Sequence, residues 1–199
     1  MIEINKIKEI FEKDGGIIRT ADLLASKIYY RDIQKLIADG YIEKIHYGYY
    51  QWIHERDVSE ANIISKLFPD GILCMNTALF YYRYSDRTPL RWDIAVNKDS
   101  SKSRFNIDYP FVKPYYIEPE FLELGLSIGK IDGYSVKIYD KERVICDCIR
   151  YVNRMDKEIF NKAIQAYIND VGKNIPNLME YAKKLRALKK AKDLLGVWL

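Results

Sequence analysis

The chain has 199 residues, 48% of them apolar and 30% charged, which fits one large or two small folded domains and argues against a disordered segment. A single packed unit of this size buries roughly 70% of its extended surface, so neither a disulfide nor a metal staple is needed to hold it. The net charge is only +4: residues 1–56 carry nine basic and nine acidic side chains, residues 57–171 carry 16 and 17, and the excess lies in residues 172–199, with seven basic and two acidic.

Ile4, Ile7, Ile10 and Phe11 recur at helical spacing and predict an amphipathic helix over residues 3–14, stopped by Asp14-Gly15-Gly16. Ile17-Ile18-Arg19 is a short extended piece. Thr20 stands where an N-cap belongs, ahead of a two-turn helix that breaks near Ser26-Lys27-Ile28. A third helix runs from Tyr29 or Tyr30 to Asp39, with Ile33, Leu36 and Ile37 as its buried stripe and Gly40 just past its end. Two β-prone runs, 41–45 and 49–53, flank His46-Tyr47-Gly48 and predict a hairpin. Helix, short helix, third helix and hairpin is the order of a winged helix-turn-helix, which we assign to residues 1–56.

In such folds the third helix lies in the major groove of duplex DNA and the hairpin, or wing, reaches the backbone or minor groove. The candidate contacts are Lys27, Tyr29, Tyr30, Arg31, Gln34 and Lys35 from the helix, and Lys44, His46 and Tyr47 from the wing. Arg and Gln make bidentate contacts to guanine and adenine edges. Lys and Tyr more often hold phosphates. Winged helices also grip other proteins. The even charge balance of residues 1–56 favours that use, because phosphate affinity comes largely from Lys and Arg. Tyr41, Tyr47, Tyr49, Tyr50 and Trp52 read as hairpin packing, and His46 and His54 as surface polar groups.

His54-Glu55-Arg56-Asp57 reads as a polar linker into a second, larger domain, residues 57–199. There the pattern predicts a helix over 58–68, a break at Pro69-Asp70-Gly71 and a short strand at Ile72-Leu73-Cys74. Asn76 is placed to cap a helix over 77–82. Arg91-Trp92-Asp93-Ile94-Ala95-Val96 alternates as a strand, and 97–108 reads as an exposed polar loop carrying Lys98, Lys102 and Arg104. Strands are expected at 111–117 and 134–139, with Gly125 and Gly129 punctuating the stretch between. Helices follow Asp140 and cover 156–171 and 175–188, with a last turn or two from Lys189. The fold class is α+β: a winged helix-turn-helix followed by a larger mixed α/β domain ending in helices. Lys183, Lys184, Arg186, Lys189 and Lys190 make a second basic patch, either a backbone contact or a solvated face.

Several chemistries are excluded. The sequence has no CxxC, HExxH, GxxxxGK[ST] or GxGxxG, so a P-loop NTPase, a zinc finger and a zincin do not fit. Cys146 and Cys148 point apart on a helix and do not share a metal easily. Asp140 and Glu142, with Asp147 nearby, resemble the carboxylates of a metal-dependent nuclease, but acids at a helix start more simply cap N–H groups and favour the dipole. Arg143 then pairs with a neighbouring acid. No cofactor, no metal and no catalytic residue is expected. No apolar run approaches the ~18–20 residues of a membrane span. The start, Met1-Ile2-Glu3-Ile4-Asn5-Lys6, lacks the pattern of a secretory signal, and the three cysteines then read as reduced thiols in a cytoplasmic protein.

Four segments together resemble one family. They are Gly15-Gly16-Ile17-Ile18-Arg19-Thr20-Ala21-Asp22-Leu23; residues 33–45 with Gly48-Tyr49-Tyr50; Cys74-Met75-Asn76-Thr77-Ala78-Leu79-Phe80; and Asp140-Lys141-Glu142-Arg143-Val144-Ile145-Cys146-Asp147-Cys148-Ile149. The sequence resembles the AbiEi-type antitoxins, transcriptional regulators of abortive-infection (phage defence) operons. The resemblance implies a winged helix that binds inverted repeats of double-stranded operator DNA and represses its own operon. It implies a C-terminal domain that counteracts a nucleotidyltransferase-like toxin in a type IV arrangement, without requiring a stable complex. Where the family often carries Arg before the wing glycine, this chain has Tyr47; where Thr often follows Glu142-Arg143, it has Val144.

Overall fold

In the computed structural model, which describes residues 4–53 and 58–196, the apolar spacing of the first segment forms α1 (Ile4–Lys13), which buries Ile7 and Phe11. β1 (Ile17–Arg19), α2 (Thr20–Ala25), α3 (Tyr30–Ala38), β2 (Ile42–His46) and β3 (Tyr49–Trp52) follow. The strands form a three-stranded antiparallel sheet in the order β1-β3-β2. Ile7, Phe11, Leu23, Ile33, Ile42 and Trp52 belong to one buried core, with Phe11 and Tyr41 stacked near Trp52 at 5.5 and 5.8 Å. Each large apolar side chain buried this way contributes about 1.5–3 kcal/mol. The hairpin turns at Tyr47-Gly48, where Gly48 takes φ +78°, a conformation costly for residues with a Cβ. Its carbonyl accepts from Thr20 N at 2.8 Å, tying the turn to α2. Thr20 is the first helical residue and Arg19 the N-cap, without a side-chain cap bond, so the expected Thr20 cap is not formed.

The chain divides into two compact units, Met1–Pro69 with Ile107–Pro110, and Asp70–Asn106 with Phe111–Leu199. α4 (Glu60–Leu67), assigned from sequence to the second domain, is grouped with the first unit. The contacts explain why. Asn62 Nδ2 donates to Gly15 O at 2.7 Å and Lys66 pairs with Asp14 at 2.8 Å, so α4 docks on the turn after α1. The expected polar linker, His54-Glu55-Arg56-Asp57, lies outside the described residues.

The second unit is built on a five-stranded mixed sheet in the order β6-β5-β4-β8-β7. Its strands are β4 (Ile72–Leu73), β5 (Trp92–Asn97), β6 (Val112–Ile117), β7 (Leu126–Ile131) and β8 (Tyr134–Tyr139). Ile94, Ala95 and Val96 of β5 are fully buried, as expected for an inner strand. The helices are α5 (Met75–Tyr81), the short α6 (Pro119–Leu122), α7 (Lys141–Arg150), α8 (Lys157–Asn169), α9 (Ile175–Lys184) and α10 (Leu188–Leu195). The chain is thus mixed α+β throughout.

Four local expectations change. Asn76 does not cap α5; Cys74 is the N-cap, and Asn76 N donates to Asp93 Oδ2 at 3.1 Å. The punctuated stretch around Gly129 is strand β7. Residues 97–108 include a 3₁₀ turn, Lys102–Phe105, and Arg104 grips Asp70 with two hydrogen bonds of 2.8 and 2.5 Å. The helix expected over 175–188 breaks at Leu185-Arg186-Ala187, where Arg186 takes φ +56°.

Candidate nucleic-acid interface

The sequence of α3 decides which face stays free. Ile33 and Leu36 turn inward, so Tyr30, Arg31, Gln34 and Lys35 are left exposed along the other side. Residues 31, 34 and 35 are three and four apart and therefore adjacent on the helix surface. The turn into α3 is anchored by Ile28, which is buried and whose N–H donates to Leu23 O at 2.9 Å. Lys27 just before it is exposed in the left-handed region, at φ +62°. Tyr29 is the N-cap residue, 60% exposed, and Tyr30 is 62% exposed. Asp32 does not compete with these cations on the outer face in a simple way: its carboxylate accepts from Tyr29 N at 3.1 Å, at the helix start, where negative charge is favoured.

The hairpin carries the second group. Lys44 is exposed, Tyr47 is 84% exposed at the tip, and the Lys44 ammonium lies 5.4 Å from the Tyr47 ring centroid. His46 is half-buried, and burial together with the Lys44 charge lowers its pKa from the ordinary histidine value. At neutral pH it therefore offers a neutral imidazole rather than a cation. Tyr50 and Trp52 are buried and serve packing, whereas Tyr47 does not. Arg19, an exposed cation at the end of β1 that the sequence pattern did not single out, is held by Asp22 at 2.9 and 3.2 Å, which neutralises it locally. His54 lies outside the described residues.

The C-terminal basic residues belong to the second unit. Lys183, Lys184, Arg186, Lys189 and Lys190 are all exposed, but the break at 185–187 divides them between the end of α9, the turn and α10. Lys184 pairs with Glu180 at 2.6 Å.

The rival site around α7 is structural in its contacts. Asp140 caps α7, accepting from Arg143 N at 2.8 Å and from Tyr181 OH at 3.0 Å. Glu142, expected at the helix start as a dipole-favouring acid, is buried, and its Oε1 accepts from Asn174 N at 2.8 Å and Tyr167 OH at 3.2 Å. Asp147 is paired with Arg143 at 3.0 Å and Arg150 at 3.1 Å. Arg143 has no exposed surface; it also donates to Phe121 O and Leu124 O at 2.7 Å and lies 4.2 Å from the Tyr139 ring centroid. Gly125 is required here, because a Cβ would sit 2.5 Å from Arg143 Cβ. Among the described residues no group of three His, Cys, Asp or Glu side chains is placed to hold a metal ion. Cys74, Cys146 and Cys148 are buried free thiols, and desolvation pushes Cys146 up to about 12, far from a reactive thiolate.

Residues 5–51, which carry α1 to β3 almost entirely, match the sequence model of the transcriptional regulators described as AbiEi antitoxin. Over these residues the chain is similar to the AbiEi-type regulators. The match does not include residues 74–80 or 140–149. No curated protein matches the AbiEi-like chain. Among solved structures, the crystal structure of the RV2827C protein from Mycobacterium tuberculosis aligns with a TM-score of 0.53 at 13% identity, covering 96% of this chain and 79% of that one. At that identity the likeness is one of fold. Among the described residues no helix is long and apolar enough to cross a membrane.

Proposed function

We propose that this AbiEi-like chain is a cytoplasmic, non-enzymatic antitoxin that represses its own operon. In this reading residues 1–56 act as a winged helix-turn-helix on inverted repeats of double-stranded operator DNA. Residues 57–199 counteract a nucleotidyltransferase-like toxin of a type IV, abortive-infection system without requiring a stable complex. The observation that carries it is the exposed polar face of α3, with Arg31, Gln34 and Lys35 adjacent, inside a segment that matches a family of transcriptional regulators.

The chemistry follows from the side chains. With α3 in the major groove, Arg31 presents two donors to guanine O6 and N7, and Gln34 a donor–acceptor pair to adenine. Lys27, Tyr29, Tyr30 and Lys35 hold phosphates and fix the register. Lys44, neutral His46 and Tyr47 meet the backbone or minor groove from the wing. Lys183, Lys184, Arg186, Lys189 and Lys190 are a second candidate for backbone contact. Both oxygens of Asp140 and Asp147, and Oε1 of Glu142, are engaged by protein donors, which supports a structural role for them over a nuclease role.

The test is a reporter driven by the DNA upstream of the gene. Supplying the chain lowers expression, and Arg31→Ala with Gln34→Ala restores it; no repression by the unaltered chain contradicts the proposal. The same double variant still rescues growth when the neighbouring toxin gene is induced, because neutralisation is assigned to the second unit. The even charge balance of residues 1–56 favours one other reading, a winged helix that grips a protein, and co-purification of the neighbouring gene product with the chain would support it.

A further inference from the structure

The second unit also holds aromatic and cationic cavities whose tyrosines the DNA reading does not use. β6 is an edge strand of the five-stranded sheet, and Pro114 within it suits an edge, where the missing N–H costs no ladder bond. A cavity of about 230 Å³ opens beside it, lined by Lys113, Tyr115, Tyr116, Tyr151 and Arg154 among others. A second cavity, of about 390 Å³, shares Tyr116 and Tyr151 and adds Arg150, Lys184 and Arg186.

Tyr115 and Tyr151 are half-buried and line the smaller cavity, whereas Tyr116, the next residue of the strand, turns its ring to the other face, where it meets Phe105 edge to face at 6.1 Å. Tyr115 and Tyr151 meet edge to face at 5.7 Å, which fixes their planes. Lys113 Nζ stands 4.7 Å from the Tyr115 ring centroid. The cations divide into two sets. Arg150 is held by Asp147 and Lys184 by Glu180, whereas Lys113, Arg154 and Arg186 form no ion pair among the described residues. Glu118 and Glu120 also line the larger cavity, and Lys98 engages Glu118 at 2.6 Å.

Fixed aromatic rings beside unpaired cations in a concave site suit a ligand with a flat π-face and a phosphate. Tyrosine stacks on any base, and Lys or Arg takes the phosphate. Duplex DNA does not satisfy the rings, because its base faces are already stacked. A purely anionic ligand leaves them unused.

We propose that these adjoining cavities at the β6 edge bind a nucleotide, free or at the end of a single strand. The base lies on the wall made by Tyr115 and Tyr151, and the phosphate sits on Lys113 and Arg154. Lys184 and Arg186 take the next phosphate of a strand. The proposal does not rest on α3, which carries the duplex reading; the two share only Lys184 and Arg186.

The test is calorimetric titration of the full chain with AMP and inorganic pyrophosphate, and anisotropy with a labelled ten-nucleotide oligo(U), all at one salt concentration. AMP is expected to bind at least tenfold more tightly than pyrophosphate. Lys113→Gln with Arg154→Gln is expected to weaken AMP at least tenfold without changing the melting temperature, since neither side chain is buried. Tyr151→Ser is expected to weaken AMP and leave pyrophosphate unchanged, and Arg31→Ala to change neither. Oligo(U) at least tenfold tighter than AMP supports the site and assigns it to strands; equal affinity supports it and assigns it to free nucleotides. Absent binding of both, pyrophosphate as tight as AMP, or affinity indifferent to Lys113→Gln with Arg154→Gln would overturn the proposal.

Discussion

Helices α3 and α7 each carry an arginine near the N-terminus with an acid beside it, Arg31 with Asp32 and Arg143 with Glu142. Around α3 only Ile33 and Leu36 are buried, and Arg31 faces solvent. Around α7 every residue from Glu142 to Ile149 is buried, and Arg143 is enclosed by Asp147, two backbone carbonyls and the Tyr139 ring. The same residue type therefore does opposite work in the two units. On α3 its donors face solvent, and on α7 Nε and Nη1 are consumed by the fold while Nη2 is enclosed without a partner.

Arg143→Ala should separate the two most sharply. It removes one of the two cations on buried Asp147 and leaves the Phe121 and Leu124 carbonyls without their donor, and is expected to cost about 3–5 kcal/mol of stability, read as a lower urea midpoint of the full chain. Arg31→Ala in the same assay should stay within about 0.5 kcal/mol of the unaltered protein. A loss under about 1 kcal/mol for Arg143→Ala would remove the contrast. Glu142→Ala comes next, at about 1–3 kcal/mol, because it leaves the Asn174 N–H and the Tyr167 hydroxyl without their acceptor.

On the α3 side the effect moves from folding to binding. Arg31→Ala and Gln34→Ala should each cost about 1–3 kcal/mol of operator affinity, concentrated at one base pair, as checked with single-substitution operator duplexes. Lys35→Ala should weaken all duplexes alike and reduce the log–log salt slope by about 1.

The smallest effect concerns pH. The Lys141 ammonium, with help from the Tyr84 hydroxyl, holds the Asp170 carboxyl at about 2, below the ordinary carboxylate range. A lowered folded pKa means the unfolded chain takes up the proton first. The stability from Asp170 is thus fully present above pH ~4 and is lost as pH falls toward 2. Melting curves over that range should fall less steeply for Asp170→Asn than for the unaltered chain.

The elements of the first unit are legible in the sequence because one apolar stripe per helix and one turn glycine per hairpin dictate them. Ile33 and Leu36 mark the inner side of α3, so the exposure of Arg31, Gln34 and Lys35 follows. The second unit is less legible where packing overrides local signals. Gly129 reads as a break yet sits inside β7, since a Cβ there would meet the Tyr81 hydroxyl at 2.8 Å. The break after α9 has no Gly or Pro; Arg186 itself takes the left-handed turn. Glu142 reads as a dipole-favouring acid at a helix start because the donors to its carboxylate, Tyr167 and Asn174, come from distant segments. The β6 cavities have the same character. Their tyrosines and cations come from β6, the turn after α7 and the end of α9, and no single segment announces them.

The exposed face of α3 is tested most directly by fluorescence anisotropy of the full chain on the DNA upstream of its gene, against a scrambled duplex, across several salt concentrations. Preferential binding is expected, with a log–log salt slope of about −4 per molecule if ~4–5 phosphates are neutralised, and with the preference abolished by Arg31→Ala and Gln34→Ala. Equal or absent binding to the two duplexes, or a preference that survives both substitutions, would contradict a DNA-reading role for that face.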